Sequence, residues 1–160
     1  MSETIHSKFM KEALKESKKA LELDEVPVGA IIVKDNIIIS RAYNLREKLN
    51  DPTAHAEIIA IKKACEKLQN WRLTGCSMYV TLEPCPMCAG AIVQSRISNL
   101  YIGTFDYTCG ACGSVLNITN NDYINSFTNT KWMYHEECSK ILKDFFKLKR
   151  NKNLKEKKYE

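Results

Sequence analysis

The sequence predicts a three-layer α/β domain in which helices cover both faces of a mixed central sheet. Segments with apolar residues at helical spacing alternate along the chain with short β-branched runs, which is the pattern of a sheet layered with helices. The chain has 160 residues, the length of one ordinary domain. It contains neither internal repeats nor a low-complexity linker, so we predict a single domain over residues 1–160.

The first half of the chain predicts a helix, a β-hairpin and a second helix. The predicted ranges are helix 2–23, strands 30–33 and 37–40, and helix 51–68. Apolar residues such as Phe9 and Leu14 recur near helical spacing in the first range. The two β-branched strands flank the turn pair Asp35-Asn36. Asp51 and Pro52 predict the start of the second helix, because Asp is a favoured N-cap and Pro suits the first helical position.

The second half predicts three more strands and two more helices. The predicted ranges are strand 77–82, helix 84–95, strand 100–103, strand 131–134 and helix 136–151. The inner side of the closing helix is predicted to carry Ile141, Leu142, Phe145, Phe146 and Leu148. Residues 105–113 read as a loop, and the Asn- and Thr-rich stretch 114–129 has too little pattern to predict more than a short helical turn at its start.

Composition and charge limit the class of protein. The chain is 44% hydrophobic and 27% charged, as globular domains are. No stretch approaches the ~20 apolar residues of a membrane helix, and the first nine residues lack an apolar signal core. We therefore expect a cytoplasmic protein with no membrane partner. The net charge of +5 is unevenly distributed, because basic residues are in excess from Lys147 onward. The end of the chain after about residue 150 is therefore a basic tail. That end suits a polyanion such as RNA, although cations also stabilise the carboxyl end of a helix.

Two short segments carry the candidate chemistry. His55-Ala56-Glu57 lies near the start of the second helix, and Pro84-Cys85-Pro86-Met87-Cys88 lies where a strand leads into a helix. Together they form the H-x-E and P-C-x-x-C signature of zinc-dependent nucleobase deaminases. One helical turn puts both cysteine sulfurs on the same side, and a helix N-terminus favours their thiolate forms. With His55 they make three ligands for one Zn²⁺ per chain, and three ligands leave a fourth tetrahedral position open for water.

Glu57 is the predicted proton carrier of this site. In the proposed chemistry Glu57 takes a proton from the zinc-activated water, passes it to a ring nitrogen of the base and helps protonate the leaving amine. On a regular helix Glu57 and His55 diverge by about 200°. Both can still reach one cleft because they lie at the end of the helix.

A second C-x-x-C motif allows a different zinc site. Cys109-Gly110-Ala111-Cys112 follows Cys88 at a spacing that fits a four-cysteine zinc ribbon, a closed site without catalysis. The chain would then be a non-catalytic RNA-binding module. We favour the site with His55, since a ribbon leaves the H-x-E segment unexplained and needs hairpin knuckles where residues 86–95 look helical. We expect Cys65, Cys76 and Cys138 in or near the core.

The chain resembles the bacterial tRNA-specific adenosine deaminases over nearly its whole length. The matching stretches are 26–30, Asn44, 51–57, 71–73, 79–91, 95–97, Asp106, 113–114, 144–146 and Arg150. The resemblance implies a cytidine-deaminase-like fold, a homodimer, and conversion of adenosine to inosine at the wobble position of a tRNA anticodon. The nearest alternative is a deaminase of a free base or nucleoside, such as guanine or cytosine, with the same zinc chemistry and a different pocket.

The resemblance also assigns residues to the RNA. It implies that Asn44 hydrogen-bonds the target base, and an Asn amide offers adenine both a donor and an acceptor. Asp106, Phe146 and Arg150 would contact the anticodon stem-loop, since an aromatic ring beside a cation suits splayed RNA bases. Ordinary core packing is the alternative for Phe146.

Overall fold

Four helices cover the two faces of a five-stranded sheet in the computed structural model, which describes residues 3–156. The elements are α1 (Ile5–Glu22), β1 (Gly29–Lys34), β2 (Ile37–Tyr43), α2 (Ala56–Leu68), β3 (Ser77–Leu82), α3 (Pro86–Gln94), β4 (Asn99–Thr104), β5 (Asn120–Asn121), a 3-10 helix (Asp122–Ile124), β6 (Ser126–Phe127), β7 (Asn129–Trp132) and α4 (Glu136–Glu156). The strand order is β2-β1-β3-β4-β7. Strand β1 is antiparallel to both neighbours, whereas β3, β4 and β7 are parallel, so the predicted mixed sheet is confirmed.

Side chains along the central strands point alternately to the two faces of the sheet, and helices cover both faces. Ile32 and Met78 pack in a core cluster with residues of α2 and α3. Their neighbours Ile31 and Tyr79 point to the opposite face and pack in a second cluster with α1 and Cys138 of α4. Successive strand residues face opposite sides, so a strand covered on both faces reads as a continuous apolar run. The predicted three-layer fold is confirmed.

The predicted start of the second helix is wrong. Helix α2 begins at Ala56 with His55 as its N-cap, and not at Asp51 and Pro52. The Oδ1 atom of Asp51 instead accepts hydrogen bonds from the Thr53 amide at 2.8 Å and the Thr53 hydroxyl at 2.7 Å. The Asp51 side chain therefore closes a separate turn before the helix, a use of Asp that competes with helix capping.

Several other bounds shift by a few residues. The predicted first residue of the first helix, Ser2, lies outside the described residues, and α1 begins after the N-cap Thr4. Strand β2 extends to residue 43, α3 begins at 86, β7 lies at 129–132 and α4 runs to 156, which makes most of the basic tail helical. The weakly patterned stretch 114–129 contains the β5–β6 hairpin around the 3-10 helix.

Within residues 3–156 no helix is long and apolar enough to cross a bilayer.

Gly29 is the point where β1 meets α1. A Cβ added at Gly29 would collide with the Ala13 carbonyl oxygen and lie 2.5 Å from the Ser17 nitrogen, both backbone atoms of α1. We expect Gly29→Ala to lower the free energy of unfolding by about 1–3 kcal/mol, and the Tm by roughly 2–12 °C. Thermal unfolding followed by circular dichroism measures the effect.

Gly90 in α3 provides the matched control for this substitution. A Cβ at Gly90 meets no atom within 4 Å, and alanine is favoured over glycine inside a helix. Gly90→Ala should therefore keep or raise the Tm. Equal losses from both substitutions would contradict the steric explanation for Gly29.

Candidate active site

The three predicted metal ligands meet at the N-termini of two helices. Cys85 is the N-cap of α3 and Cys88 lies in its first turn, while His55 is the N-cap of α2. The His55 Nδ1 atom lies 3.7 Å from the Cys85 Sγ and 3.5 Å from the Cys88 Sγ. The imidazole makes no capping hydrogen bond, so it faces the two sulfurs instead.

This ligand set is compact enough for one ion. The three ligand atoms all lie within 4.8 Å of one another, and among residues 3–156 no other group of His, Cys, Asp and Glu meets that criterion. Hydrogen bonds from Cys88 and His55 lower the pKa of the Cys85 thiol to about 4. The thiolate is the form that binds metals, and the positive end of α3 favours it further.

Glu57 lies in the first turn of α2, beside the ligands. Its side chain is buried, and burial raises the pKa of Glu57 to about 7. A carboxyl group with a pKa near the working pH can both accept and deliver a proton. Glu57 lines the same cavity as His55 and Cys85, so the structure brings the predicted acid–base group to the predicted ligands.

That cavity has a volume of about 890 Å³. It is also lined by the residues that the resemblance assigns to RNA binding. Its lining includes Asn44, Asp106, Phe146 and Arg150. These four residues come from three parts of the chain: the end of β2, the loop after β4, and α4. The volume lies within the range of small-molecule sites, and the cavity is large enough for a nucleobase with part of its backbone.

The structure shows how two of these side chains, Asn44 and Phe146, are placed. The Asn44 Nδ2 donates to the Val26 carbonyl oxygen at 3.2 Å, and its Oδ1 accepts from the Arg46 amide at 3.1 Å. These bonds fix which way the amide points into the cavity. On α4 it is Phe145 that packs in the core, while Phe146 and Leu148 are 44% and 61% exposed. The prediction that these two residues lie on the inner side of the helix is therefore wrong. The core-packing alternative for Phe146 is therefore not what the structure shows.

Glu83 is a site residue that sequence reasoning missed. Its buried carboxylate accepts hydrogen bonds from the Asp106 amide through Oε1, at 3.1 Å, and from the Cys112 and Ser114 amides through Oε2, at 3.0 and 3.1 Å. Glu83 thereby ties the end of β3 to the loop that follows β4. The available signal was a charged residue placed between an apolar strand and the first cysteine ligand.

Cys109 and Cys112 do not join the group of His55, Cys85 and Cys88. The Cys109 Sγ donates to the Asp106 Oδ2 at 3.2 Å, and the Cys112 side chain is buried. Residues 86–94 form α3, where a ribbon would need a hairpin knuckle. We expect Cys109→Ser combined with Cys112→Ala to retain one zinc per chain, as measured by mass spectrometry of the metal. Loss of zinc from this double variant would favour the four-cysteine ribbon.

The sequence matches the family model of the MafB19-like deaminases over residues 4–150. The chain belongs to this deaminase family. Over 145 residues the deaminase is 51% identical to a tRNA-specific adenosine deaminase of Aquifex aeolicus (strain VF5), a match that covers 89% of this chain and 95% of that protein. The recognition made from the sequence, and with it the prediction of an enzyme, is confirmed.

Two solved structures place the deaminase among its relatives. One comes from work on A-to-I editing by tRNA:A34 deaminases at the wobble position; it is 43% identical, has a TM-score of 0.81, and the match covers 85% of this chain and 99% of that chain. A guanine deaminase from Bacillus subtilis is 31% identical with a TM-score of 0.62, over 91% of this chain and 94% of that one. The fold therefore agrees with both relatives, and the identity is higher to the tRNA deaminases.

Proposed function

We propose that the deaminase converts adenosine to inosine at the wobble position of a tRNA anticodon, with one zinc ion held by His55, Cys85 and Cys88. One observation carries the proposal: His55 and Cys85 of the ligand group line a single cavity together with the buried acid Glu57 and the amide of Asn44. The higher identity to tRNA-specific adenosine deaminases than to a guanine deaminase supports RNA as the substrate.

Zinc fits this donor set. Two thiolates and one imidazole are the nitrogen and sulfur ligands that zinc prefers, and a three-ligand set is typical of catalytic rather than structural sites. Zinc, when bound, supplies an acidified water that acts as a nucleophile near neutral pH.

Glu57 moves the protons. With a pKa of about 7, the carboxylate accepts one proton and the resulting acid delivers it to the ring nitrogen next to the amino-bearing carbon of adenine. The same group then helps protonate the amine as it departs. The balance is one water consumed and one ammonia released, with a carbonyl left where the amino group was.

Asn44 orients the base. Its Nδ2 and Oδ1 each already make one bond to the protein, so one amide hydrogen and one lone pair remain for the substrate. A base with both an acceptor and a donor on one edge, as adenine has, matches that pair. Because the amide is held in place, little conformational entropy is lost when the base binds.

Two of the remaining cavity residues suit the RNA around the target base. Arg150 and Phe146 offer a phosphate partner and a stacking surface from α4. Asp106 lines the same cavity, and its side-chain oxygens hold the loop after β4 through Thr108 and Cys109. We also propose, on the resemblance alone, that the enzyme is a cytoplasmic homodimer with one zinc per chain.

An inosine assay tests the proposal. Zinc-loaded protein is incubated with an anticodon stem-loop that carries adenosine at the wobble position, and with free adenosine, guanine, cytosine and cytidine as controls. Inosine formed only in the RNA is the expected result. Ammonia released only from a free base or nucleoside would keep the zinc chemistry and overturn the RNA assignment.

A further inference from the structure

Four aromatic rings form a cluster on the surface beside the cavity. We call Phe105, Tyr107, Trp132 and Tyr134 the aromatic rim. The Phe105 ring lies 4.5 Å from Trp132, 5.2 Å from Tyr134 and 5.5 Å from Tyr107, measured between centroids. Tyr107 is nonetheless 79% exposed and Tyr134 is 65% exposed. Contiguous exposed aromatic surface of this kind marks an interaction site more often than chance exposure does.

A network of backbone hydrogen bonds holds Tyr107 in this exposed position. The Asp106 Oδ1 accepts from the amides of Thr108 and Cys109 at 2.9 and 3.2 Å, which closes a tight turn with Tyr107 at its tip. The Asp106 amide in turn donates to buried Glu83 at 3.1 Å. The ring is therefore presented by a fixed backbone, and a partner that stacks on it pays little entropy to order the turn.

The aromatic rim is continuous with the cavity. Phe105 and Tyr107 line the cavity that contains Glu57, and three cations line it as well: Arg46, Lys143 and Arg150. Three acidic residues also line it, and two of them, Glu57 and Glu83, are buried. The side-chain oxygens of the third, Asp106, accept hydrogen bonds from Thr108 and Cys109. Aromatic faces beside cations match the two features of single-stranded RNA, which are unpaired bases and phosphates.

We propose that the aromatic rim stacks on an unpaired nucleotide next to the target adenosine, with Tyr107 as the main contact. This inference rests on the proposed function. A base that enters the cavity leaves the stack of its neighbours, and an adjacent nucleotide then needs a new partner for its exposed face. A free base or nucleoside has no such neighbour, so the aromatic rim serves only a polynucleotide substrate.

The test uses the zinc-loaded full chain and the wobble-adenosine stem-loop. Tyr107→Ala should raise the Kd for the stem-loop, and with it the KM, by about tenfold to a hundredfold, as loss of one base–aromatic stack does. Tyr107→Phe should restore most of the affinity, since it keeps the ring. The matched control is Tyr123→Ala: Tyr123 is 99% exposed and does not line the cavity, so its loss should leave Kd and KM unchanged.

The outcomes separate this inference from the proposed function. If the unmodified chain neither binds nor deaminates the stem-loop, the proposed function and the aromatic rim both fail. If it deaminates the stem-loop and Tyr107→Ala has the same Kd and KM, only the aromatic rim is overturned. Sedimentation of both proteins without RNA adds a third result: a change of oligomeric state in Tyr107→Ala would assign this surface to contact between copies of the chain and overturn stacking on RNA.

Discussion

Glu57→Gln is expected to lower kcat on the stem-loop by about two to four orders of magnitude, the range for removal of one positioned acid–base group. Glutamine has nearly the shape of glutamate but cannot take up or give back a proton. Because Glu57 is buried beside the ligands rather than among them, the variant should keep its zinc and its affinity for RNA. Single-turnover inosine formation, metal content and Kd measure the three quantities on one protein sample.

A second acidic residue of α2 controls for the loss of charge. Glu66 is exposed on the same helix, and Glu66→Gln should leave all three quantities unchanged. Turnover retained by Glu57→Gln would remove Glu57 from the chemistry. Loss of zinc in that variant would instead give the carboxylate a structural role at the metal centre.

Part of the candidate site was predictable because its residues are close in sequence. Cys85 and Cys88 belong to one helical turn, so their spacing alone predicts that their sulfurs lie together. That His55 and Glu57 join them from about 30 residues earlier was predicted from the combined signature of the two segments. The start of α2 was not predictable in the same way. Asp51 can cap a helix or close a turn with equal local chemistry, and which occurs depends on where the rest of the fold places His55.

The surroundings of the site depend on contacts between distant segments. Glu83 binds amides 23 to 31 residues further along the chain, and the aromatic rim joins the loop after β4 to the end of β7. Residue type alone does not predict which distant segments make such contacts, because an aromatic residue at the end of a strand can lie either in the core or on the surface. Phe145 and Phe146 illustrate the limit: they are adjacent in sequence, yet one packs in the core and the other lines the cavity.

Cys88→Ser is expected to abolish stable zinc binding and to lower deamination by at least about three orders of magnitude, because zinc moves the pKa of its bound water from ~15.7 to ~7. Cys88 lies buried in the first turn of α3, with its Sγ 3.5 Å from the His55 Nδ1. Among the described residues no other thiol belongs to the ligand group and could replace it. Removal of zinc from the unmodified enzyme with a chelator should give the same loss of activity. One equivalent of Zn²⁺ should restore the unmodified enzyme but not Cys88→Ser.

Cys65→Ser is the control that distinguishes the loss of a zinc ligand from the loss of a thiol elsewhere in the chain. Its Sγ lies 3.7 Å from the Trp71 carbonyl oxygen, away from His55, so Cys65→Ser should keep both zinc and activity. Since a ligand that binds only the folded state raises the Tm, chelation should lower the Tm of the unmodified enzyme and of Cys65→Ser, but not that of Cys88→Ser. Full activity in metal-depleted enzyme would contradict the zinc mechanism, and an unchanged metal content in Cys88→Ser would contradict the ligand set.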